Sequence, residues 1–567
     1  MKTGLFMHGL TPTAEAVSVR GIEGFMHVAP ILLIALCAFL SLVTTSLARG
    51  GSPSRNMTNK RGSESVWPWL FAFIGLVVAA LWQLYELRFR SGSTRLFGGI
   101  LVSDGLSRVG LFILFLLGVF AVVLGAGRLK LKRRSTTLSH PHAPGLLLLS
   151  LSGMSLALLT ADLLALVLCL ETAVLPLVWL VGENSRDRGT STRVYLNSLF
   201  SAALLLWATV FIQRVFGTVD YEFLAAEMEN HTRSPYPAAA ILFLAAAFSW
   251  KLAAPPFNLG WASMSARTPS PTALLWDGCM KVTLAFSSIR LFVTVFHHPA
   301  VSLGPGGWTS LLATIAAVTF IVAGTSVLWQ NRMADLASRI SLSVAGWILL
   351  GLIALGLTHS NEWSSAIGVS YLLIAHGVGL GGILALCSWI EGEDEHRPGD
   401  KSGLAPGWKH LGVHHPFLAA AVCVLTADLL GFPLTMGFWA RVAILQLFLT
   451  TDSSIPLVVV ATAGWVVSCL VMIRIVKAMW FPREKSIISI LTPESPFIDE
   501  PAEEEEYSFA PNDVFSPGTS LSVSGGRLVD TDDPGGRLLK IVAGVAVVVV
   551  IVGGIWPEPF LRFLGGF

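Results

Sequence analysis

Charged side chains are scarce in this sequence: Asp, Glu, Lys and Arg make up 13% of the residues, about half the roughly 25% of an ordinary soluble domain. With 53% hydrophobic residues and a mean hydropathy of +0.68 over 567 residues, too little polar surface remains to face water on all sides. That excludes the roughly three or four soluble domains that length alone suggests. Neither sign of charge is in excess. The 38 Lys and Arg against 36 Asp and Glu leave a net +2, no bulk electrostatic basis for binding nucleic acid. Cysteine is sparse as well: Cys37, Cys169, Cys279, Cys387, Cys423 and Cys469 each lie inside an apolar run, with no Cys-x-x-Cys pair. They read as small buried hydrophobes rather than disulfides or iron–sulfur ligands. No Gly-rich phosphate loop follows a strand, so no redox cofactor is expected within the chain. The pairs His297-His298 and His414-His415 lack the further ligand spacing of a metal site. No short apolar core with a small-residue cleavage site precedes the first long apolar run, so no cleaved signal peptide is expected.

Long apolar runs are abundant. Runs of about 20 residues, the length that crosses a bilayer core, centre on Ile34, Gly75, Leu116, Leu151, Val174, Leu204, Leu242, Ala285, Ala316, Leu350, Gly381, Val424, Val466 and Ala546. The stretch from Gly145 to Glu183 is too long for one crossing and divides near Thr160-Ala161-Asp162. Backbone groups in lipid must be satisfied internally, and no alternating barrel pattern is present, so the spans are helices. The expected fold is an all-α polytopic membrane protein with about 14 transmembrane helices.

Basic residues orient these spans. Arg128-Leu-Lys-Leu-Lys-Arg-Arg134 follows the third; Arg49, Arg55, Lys60 and Arg61 follow the first; Arg186, Arg188 and Arg193 follow the fifth; Arg332 and Arg339 follow the ninth. The loops after spans eight, ten and twelve contain no Lys or Arg. By the positive-inside rule the odd-numbered loops face the cytoplasm and both termini the opposite side. The loop with Arg88, Arg90 and Arg95 disagrees. Residues 1–142 form an N-terminal three-span segment. Residues 483–537, with the run Glu503-Glu504-Glu505-Glu506, read as a polar acidic linker before a last span in 538–567.

A charge at the bilayer centre costs at least about 2.5–3.5 kcal/mol, so each one retained there needs a reason. Glu171, Lys251, Lys281 and Arg441 are the main candidates. Pro255-Pro256 follow Lys251, and Gly431, Pro433 and Gly437 precede Arg441. Such helix breaks free backbone groups, which lipid tolerates only where the break lines protein or water, and broken helices in corresponding halves mark ion paths in transporters. The competing reading, that the charges pair within the bundle and fix packing, stays open for any single residue. Four together, two of them at breaks, favour transport. Lysine suits a proton relay because burial and a nearby carboxylate move its proton affinity in opposite directions; arginine stays protonated and is a fixed charge. Weaker candidates are Asp277, on the same helix face as Lys281, and His376, which titrates near neutrality when unperturbed. Asp162 and Asp428 share the context Leu-Thr-Ala-Asp-Leu-Leu and are expected near span ends.

These residues, in this order, resemble the antiporter-like membrane subunits of complex I, the NADH–quinone oxidoreductase, most closely the subunit N branch. The match is carried by Leu163 to Glu171 with Leu175-Pro176, by the stretch from Lys251 through Pro256-Phe257 and Pro269-Ser-Pro271 to Lys281 and Arg290, and by His415-Pro416 through Gly431-Phe-Pro433 to Arg441. It covers residues from about 100 to 480. The resemblance implies two inverted five-helix repeats, spans four to eight (143–296) and nine to thirteen (309–482). It also implies a proton path through Glu171, Lys251, Lys281 and Arg441, driven by electron transfer elsewhere. NADH, FMN, iron–sulfur clusters and quinone are then expected on partner subunits, with other membrane and peripheral subunits of the complex, the lipid bilayer and protons as partners. A bacterial-type plasma membrane is the implied location.

The sequence departs from the family at several points. Asn258 stands where a histidine usually follows Pro-Phe, Arg267-Thr268 replaces an acidic turn, Val344 occupies a histidine position, and Arg441 replaces lysine. The last two lie within 309–482 and point to an altered second half. Two other roles fit the same residues: a subunit of an Mrp-like sodium/proton antiporter, and a non-pumping structural membrane subunit.

Overall fold

The computed structural model describes residues 14–50, 66–90, 92–129, 142–184, 188–231, 236–257, 268–302, 307–358, 366–390, 408, 411–449, 455–481 and 534–565. The basic run Lys130 to Arg134, Asn258, Arg267 and residues 483–533 of the expected linker lie outside them. The chain forms a bundle of helices: α1 (Ala14–Gly50), α2 (Trp67–Phe89), α3 (Gly105–Leu129), α4 (Ala143–Leu159), α5 (Leu163–Asn184), α6 (Arg188–Phe216), α7 (Tyr221–His231) and α8 (Tyr236–Lys251). It continues with α9 (Ser270–Val295), α10 (Trp308–Val327), α11 (Met333–Thr358), α12 (Ile367–Ile390), α13 (Pro416–Leu430), α14 (Met436–Leu449), α15 (Ile455–Trp480), α16 (Pro534–Ile555) and α17 (Pro557–Gly565). Among the described residues, 11 helices are long and apolar enough to cross a membrane. The other expected centres, Leu151, Leu242 and Val424, fall in the shorter apolar helices α4, α8 and α13.

Burial divides the helices into a centre and a lipid-facing shell. The apolar windows of α9 and α11 are 94% buried and that of α12 is 100% buried, against 22% for α15 and 39% for α2 and α16. Leu36, Phe39, Trp207, Val466, Ile473 and Val548 are exposed on the shell, as large apolar side chains are when lipid is the solvent. Helix association in lipid gains little from hydrophobicity and depends on close backbone approach through small residues. A Cβ at Gly464 would stand 2.8 Å from the Phe320 carbonyl oxygen, and one at Gly324 would stand 2.9 Å from that of Gly464. α10 and α15 therefore cross backbone to backbone.

The division near residue 160 is a built break. α4 ends at Leu159 and α5 begins at Leu163, and the residues between pair with their neighbours. The Ala161 N–H donates to the Ile100 carbonyl (2.8 Å), and the Tyr221 N–H to the Ala161 carbonyl (2.9 Å). Ile100 lies between β1 (Thr94–Leu96) and β2 (Leu101–Ser103), a small antiparallel hairpin. The loops after α2, α4 and α6 thus meet on one side, as alternating crossings require.

The twelfth run is two half-helices. α13 closes at Leu430 with Gly431 left-handed at φ +78°, and α14 starts at Met436. Each half leaves backbone groups without helical partners, and two contacts cross the break to satisfy some of them, Arg441 to Leu429 and Asp428 to Gly437. Arg441 donates from Nη2 to the Leu429 carbonyl (2.7 Å) and from Nη1 to the Gly437 carbonyl (2.9 Å). Asp428 Oδ1 accepts the Gly437 N–H (2.7 Å). A cation at a helix C-terminus and an anion at an N-terminus both match the helix dipole.

Two substitutions test this packing. Gly464→Leu should destabilise the bundle by about 1–3 kcal/mol through overpacking, read as a lower unfolding temperature in detergent. Gly431→Ala should cost about 1–3 kcal/mol, because it strains a left-handed residue and puts a Cβ 2.3 Å from the Arg441 guanidinium. Gly544, with nothing within 4 Å of its Cβ position, is the control; Gly544→Ala should leave stability unchanged.

Candidate functional site

Lys251 is the last residue of α8, a position where a cation matches the helix dipole. The chain then turns: Ala253 is left-handed at φ +61°, and Pro255 and Pro256 bring no N–H. Thr319 of α10 donates to the Pro255 carbonyl at 3.4 Å, which holds the turn inside the bundle. The Lys251 ammonium donates to Glu171 Oε1 of α5 at 2.8 Å and lies 3.4 Å from Ser198 Oγ of α6. The lysine side chain is 6% exposed and the glutamate 23%. Against this pair lies a cavity of about 20 Å³, lined by Ser198, Lys251, Trp276 and Met280 among others. That is room for one water between Lys251 and α9.

α9 is interrupted by π-helical turns at Leu275–Cys279 and Ile289–Val295, a feature frequent at functional sites. Asp277 sits in the first. Its Oδ1 is 3.8 Å from Lys281 Nζ, and Lys281 donates to the Ser341 carbonyl of α11 at 2.5 Å and to the Ser341 hydroxyl. His376 of α12 closes the ring, with Nε2 3.2 Å from Ser341 Oγ and 3.1 Å from the Asp277 carbonyl. A carbonyl only accepts, so Nε2 carries the hydrogen and Nδ1 the lone pair; Nδ1 has no partner among the described residues. Asp277, Lys281, Ser341 and His376 are all at most 3% exposed. They sit on the three most buried helices.

Arg441, 1% exposed, is tied to main-chain carbonyls as described, and its guanidinium lies 5.8 Å and 5.9 Å from the Trp347 and Trp465 ring centres. Asp428 lies in the last turn of α13, near a helix end as its sequence context suggested, and is 1% exposed at the break before α14. Asp162 also lies at a helix end, where its Oδ1 accepts the Ala165 N–H at 2.8 Å.

The structure thus brings Glu171 to Lys251, and Asp277 to Lys281 and His376. It places Arg441 on a separate half-helix pair, and it gives Pro255, Pro256, Gly431 and Pro433 to the two turns. Ser341, which joins α9 to α12, was not singled out in the sequence, and a serine in an apolar run carries no signal of its own. A second polar group also went unseen. His27 Nδ1 lies 3.1 Å from Glu86, and Arg90 donates to His27 Nε2 at 3.2 Å. Arg108 donates to the Arg90 and Gly92 carbonyls at 2.7 Å each. Arg290 pairs with Asp104 at 2.6 Å and donates to the Leu158 carbonyl at 3.0 Å. Arg95 pairs with Glu222. The basic residues that disagree with the charge rule are therefore partly neutralised by partners on the same side. Among the described residues, no group of three His, Cys, Asp or Glu side chains is placed to hold a metal ion.

Comparison with known proteins agrees with this architecture. NADH-quinone oxidoreductase subunit N 1 of Rhizobium meliloti is 24% identical over 413 residues, covering 72% of this chain and 80% of that protein. Subunit N of Xanthomonas euvesicatoria is 24% identical over 424 residues, covering 74% and 82%. A chain of respiratory complex I from Thermus thermophilus superposes with a TM-score of 0.65 at 18% identity, over 94% of this chain and 98% of that one. A chain of the Mrp complex from Dietzia sp. does so at 0.69 and 16%, over 96% of each. Residues 160–468, more than half of the sequence, match the family described as NADH:quinone oxidoreductase/Mrp antiporter, TM, and the chain belongs to that family.

Proposed function

We propose that this chain is a proton-translocating membrane subunit of a respiratory NADH–quinone oxidoreductase, which moves protons through its buried lysines while electrons pass from NADH to quinone elsewhere in the complex. The observation that carries this reading is the 2.8 Å Glu171–Lys251 pair beside a one-water cavity that reaches α9, the helix of the Lys281–Ser341–His376 ring. At an effective dielectric of about 20, lengthening a unit-charge pair from about 3 to about 4 Å weakens it by about 1.4 kcal/mol, a factor of about ten in proton occupancy. A small movement of Glu171 therefore suffices to switch Lys251 between holding and releasing a proton.

In this reading residues 143–296 and 309–482 are the two repeats; the broken crossings, after Lys251 and after Leu430, are each the fourth of five. NADH, FMN, iron–sulfur clusters and quinone belong to partner subunits, and both termini face away from the cytoplasm.

Reconstitution of the complex in vesicles tests the proposal. Lys251→Met should reduce proton translocation by at least about tenfold with assembly intact. Lys251→Arg separates charge from titration: it keeps the partner of Glu171 but does not release a proton, so it should also fail to pump. Normal pumping by Lys251→Arg would reduce the pair to a structural tie. Translocation of sodium in place of protons would instead favour the antiporter role. Glu171→Gln and Lys281→Met together test the scaffold role: unchanged turnover and pumping in both would support it.

A further inference from the structure

The buried ring ends at His376, and beyond it stands Arg441, which keeps its proton. We infer that Asp428, on the broken crossing, is the proton-carrying group at this end of the row, a role that the arginine at 441 does not fill. The inference rests on the proton-transfer reading above.

Three observations converge on Asp428. First, its carboxylate is 1% exposed and only half engaged: Oδ1 accepts the Gly437 N–H, while Oδ2 has no hydrogen-bond partner among the described residues. Second, Arg441 does not consume it. The guanidinium is committed to the Leu429 and Gly437 carbonyls, and no Asp428–Arg441 ion pair within 4.0 Å forms among the described residues. Third, Oδ2 faces α12 at Gly379, where a Cβ would stand 2.9 Å from it. Gly379 is one turn from His376, whose Nδ1 is likewise buried and without a hydrogen-bond partner among the described residues. The glycine leaves the space that a side chain would otherwise fill between them. Buried polar atoms without protein partners are where ordered water resides.

The step balances as a proton relay. Protonated Asp428 gives the proton on Oδ2, through water, to the His376 Nδ1 lone pair and becomes a carboxylate. His376 then gives up its Nε2 proton to the Ser341 hydroxyl, which passes its own proton to the neutral amine of Lys281. His376 is left with its hydrogen on Nδ1 and returns to the starting tautomer before the next transfer.

The test uses the assembled complex in vesicles. Asp428→Asn preserves the acceptor for the Gly437 N–H but not the titration, and Asp428→Glu restores the titration. Asp428→Asn should lower coupled proton translocation by about tenfold or more, Asp428→Glu should recover part of it, and Asp162→Asn, in the same sequence context, should leave it unchanged. Infrared difference spectra should show a protonated-carboxyl band that Asp428→Asn removes and Asp162→Asn retains. Wild-type translocation by Asp428→Asn, or an unaltered carboxyl band, overturns the inference. If Lys251→Met still loses pumping in that case, the proposed function stands without Asp428; if Lys251→Met also pumps normally, both fall.

Discussion

Hydrocarbon offers no hydrogen bond to a stray polar group, and this bundle is organised around that constraint. Each place where a helix stops inside the bundle is matched by a group that completes it. The Leu429 carbonyl at the end of α13 accepts from Arg441, and the Gly437 N–H at the start of α14 meets Asp428. The gap between α4 and α5 is closed by backbone bonds to Ile100 and Tyr221, with Arg290 capping the Leu158 carbonyl. An unsatisfied group at such a break would cost several kcal/mol, so the breaks and the buried charges require one another. The polar row is therefore part of what lets these helices be broken at all.

The same constraint explains where the charges lie. Lys281, Asp277 and His376 are carried by the helices most deeply enclosed by others, α9 and α12, and are bridged by Ser341 of α11. α5 is less enclosed, and its Glu171 retains 23% exposure beside a lysine with 6%. The first pair thus sits at the margin of the core and the second within it. A carboxylate at the margin has room to change its distance to a lysine. A lysine held by a serine hydroxyl and carbonyl is instead fixed in place and exchanges protons with its ring.

Much of this was legible in the sequence. Apolar run length located eleven helices long enough to cross a membrane and three of the shorter apolar ones among the described residues, because a helix in lipid must be long and apolar. Proline and glycine placed both turns, because they remove donors or adopt left-handed backbone. The four charges announced themselves by their cost. What was illegible depended on a contact rather than on a composition. Ser341 is one serine among many until Lys281 and His376 reach it. His27, Glu86 and Arg108 are far apart in sequence and meet only through the packing of α1, α2 and α3. The burial of Asp428 was illegible for a specific reason: Leu-Thr-Ala-Asp at a helix end looks the same whether or not a second half-helix follows and encloses it. Asp162 and Asp428 share that tetrapeptide and differ only in where their helices stop.

That difference also bears on the two halves of the row. The first half ends in a lysine at a helix C-terminus, paired with a carboxylate from another helix; the pairing joins two separate helices and can be undone by relative motion of α5 and α8. The second half ends in an arginine at a helix break, but its partners are the carbonyls of the break itself, and two tryptophans flank it. Opening that contact would leave the Leu429 carbonyl of α13 without this donor in a water-poor interior, a cost that motion at the Glu171–Lys251 pair does not incur. The two breaks are alike in sequence, with proline near a basic residue. Physically, one holds its cation by a movable charge and the other by the backbone.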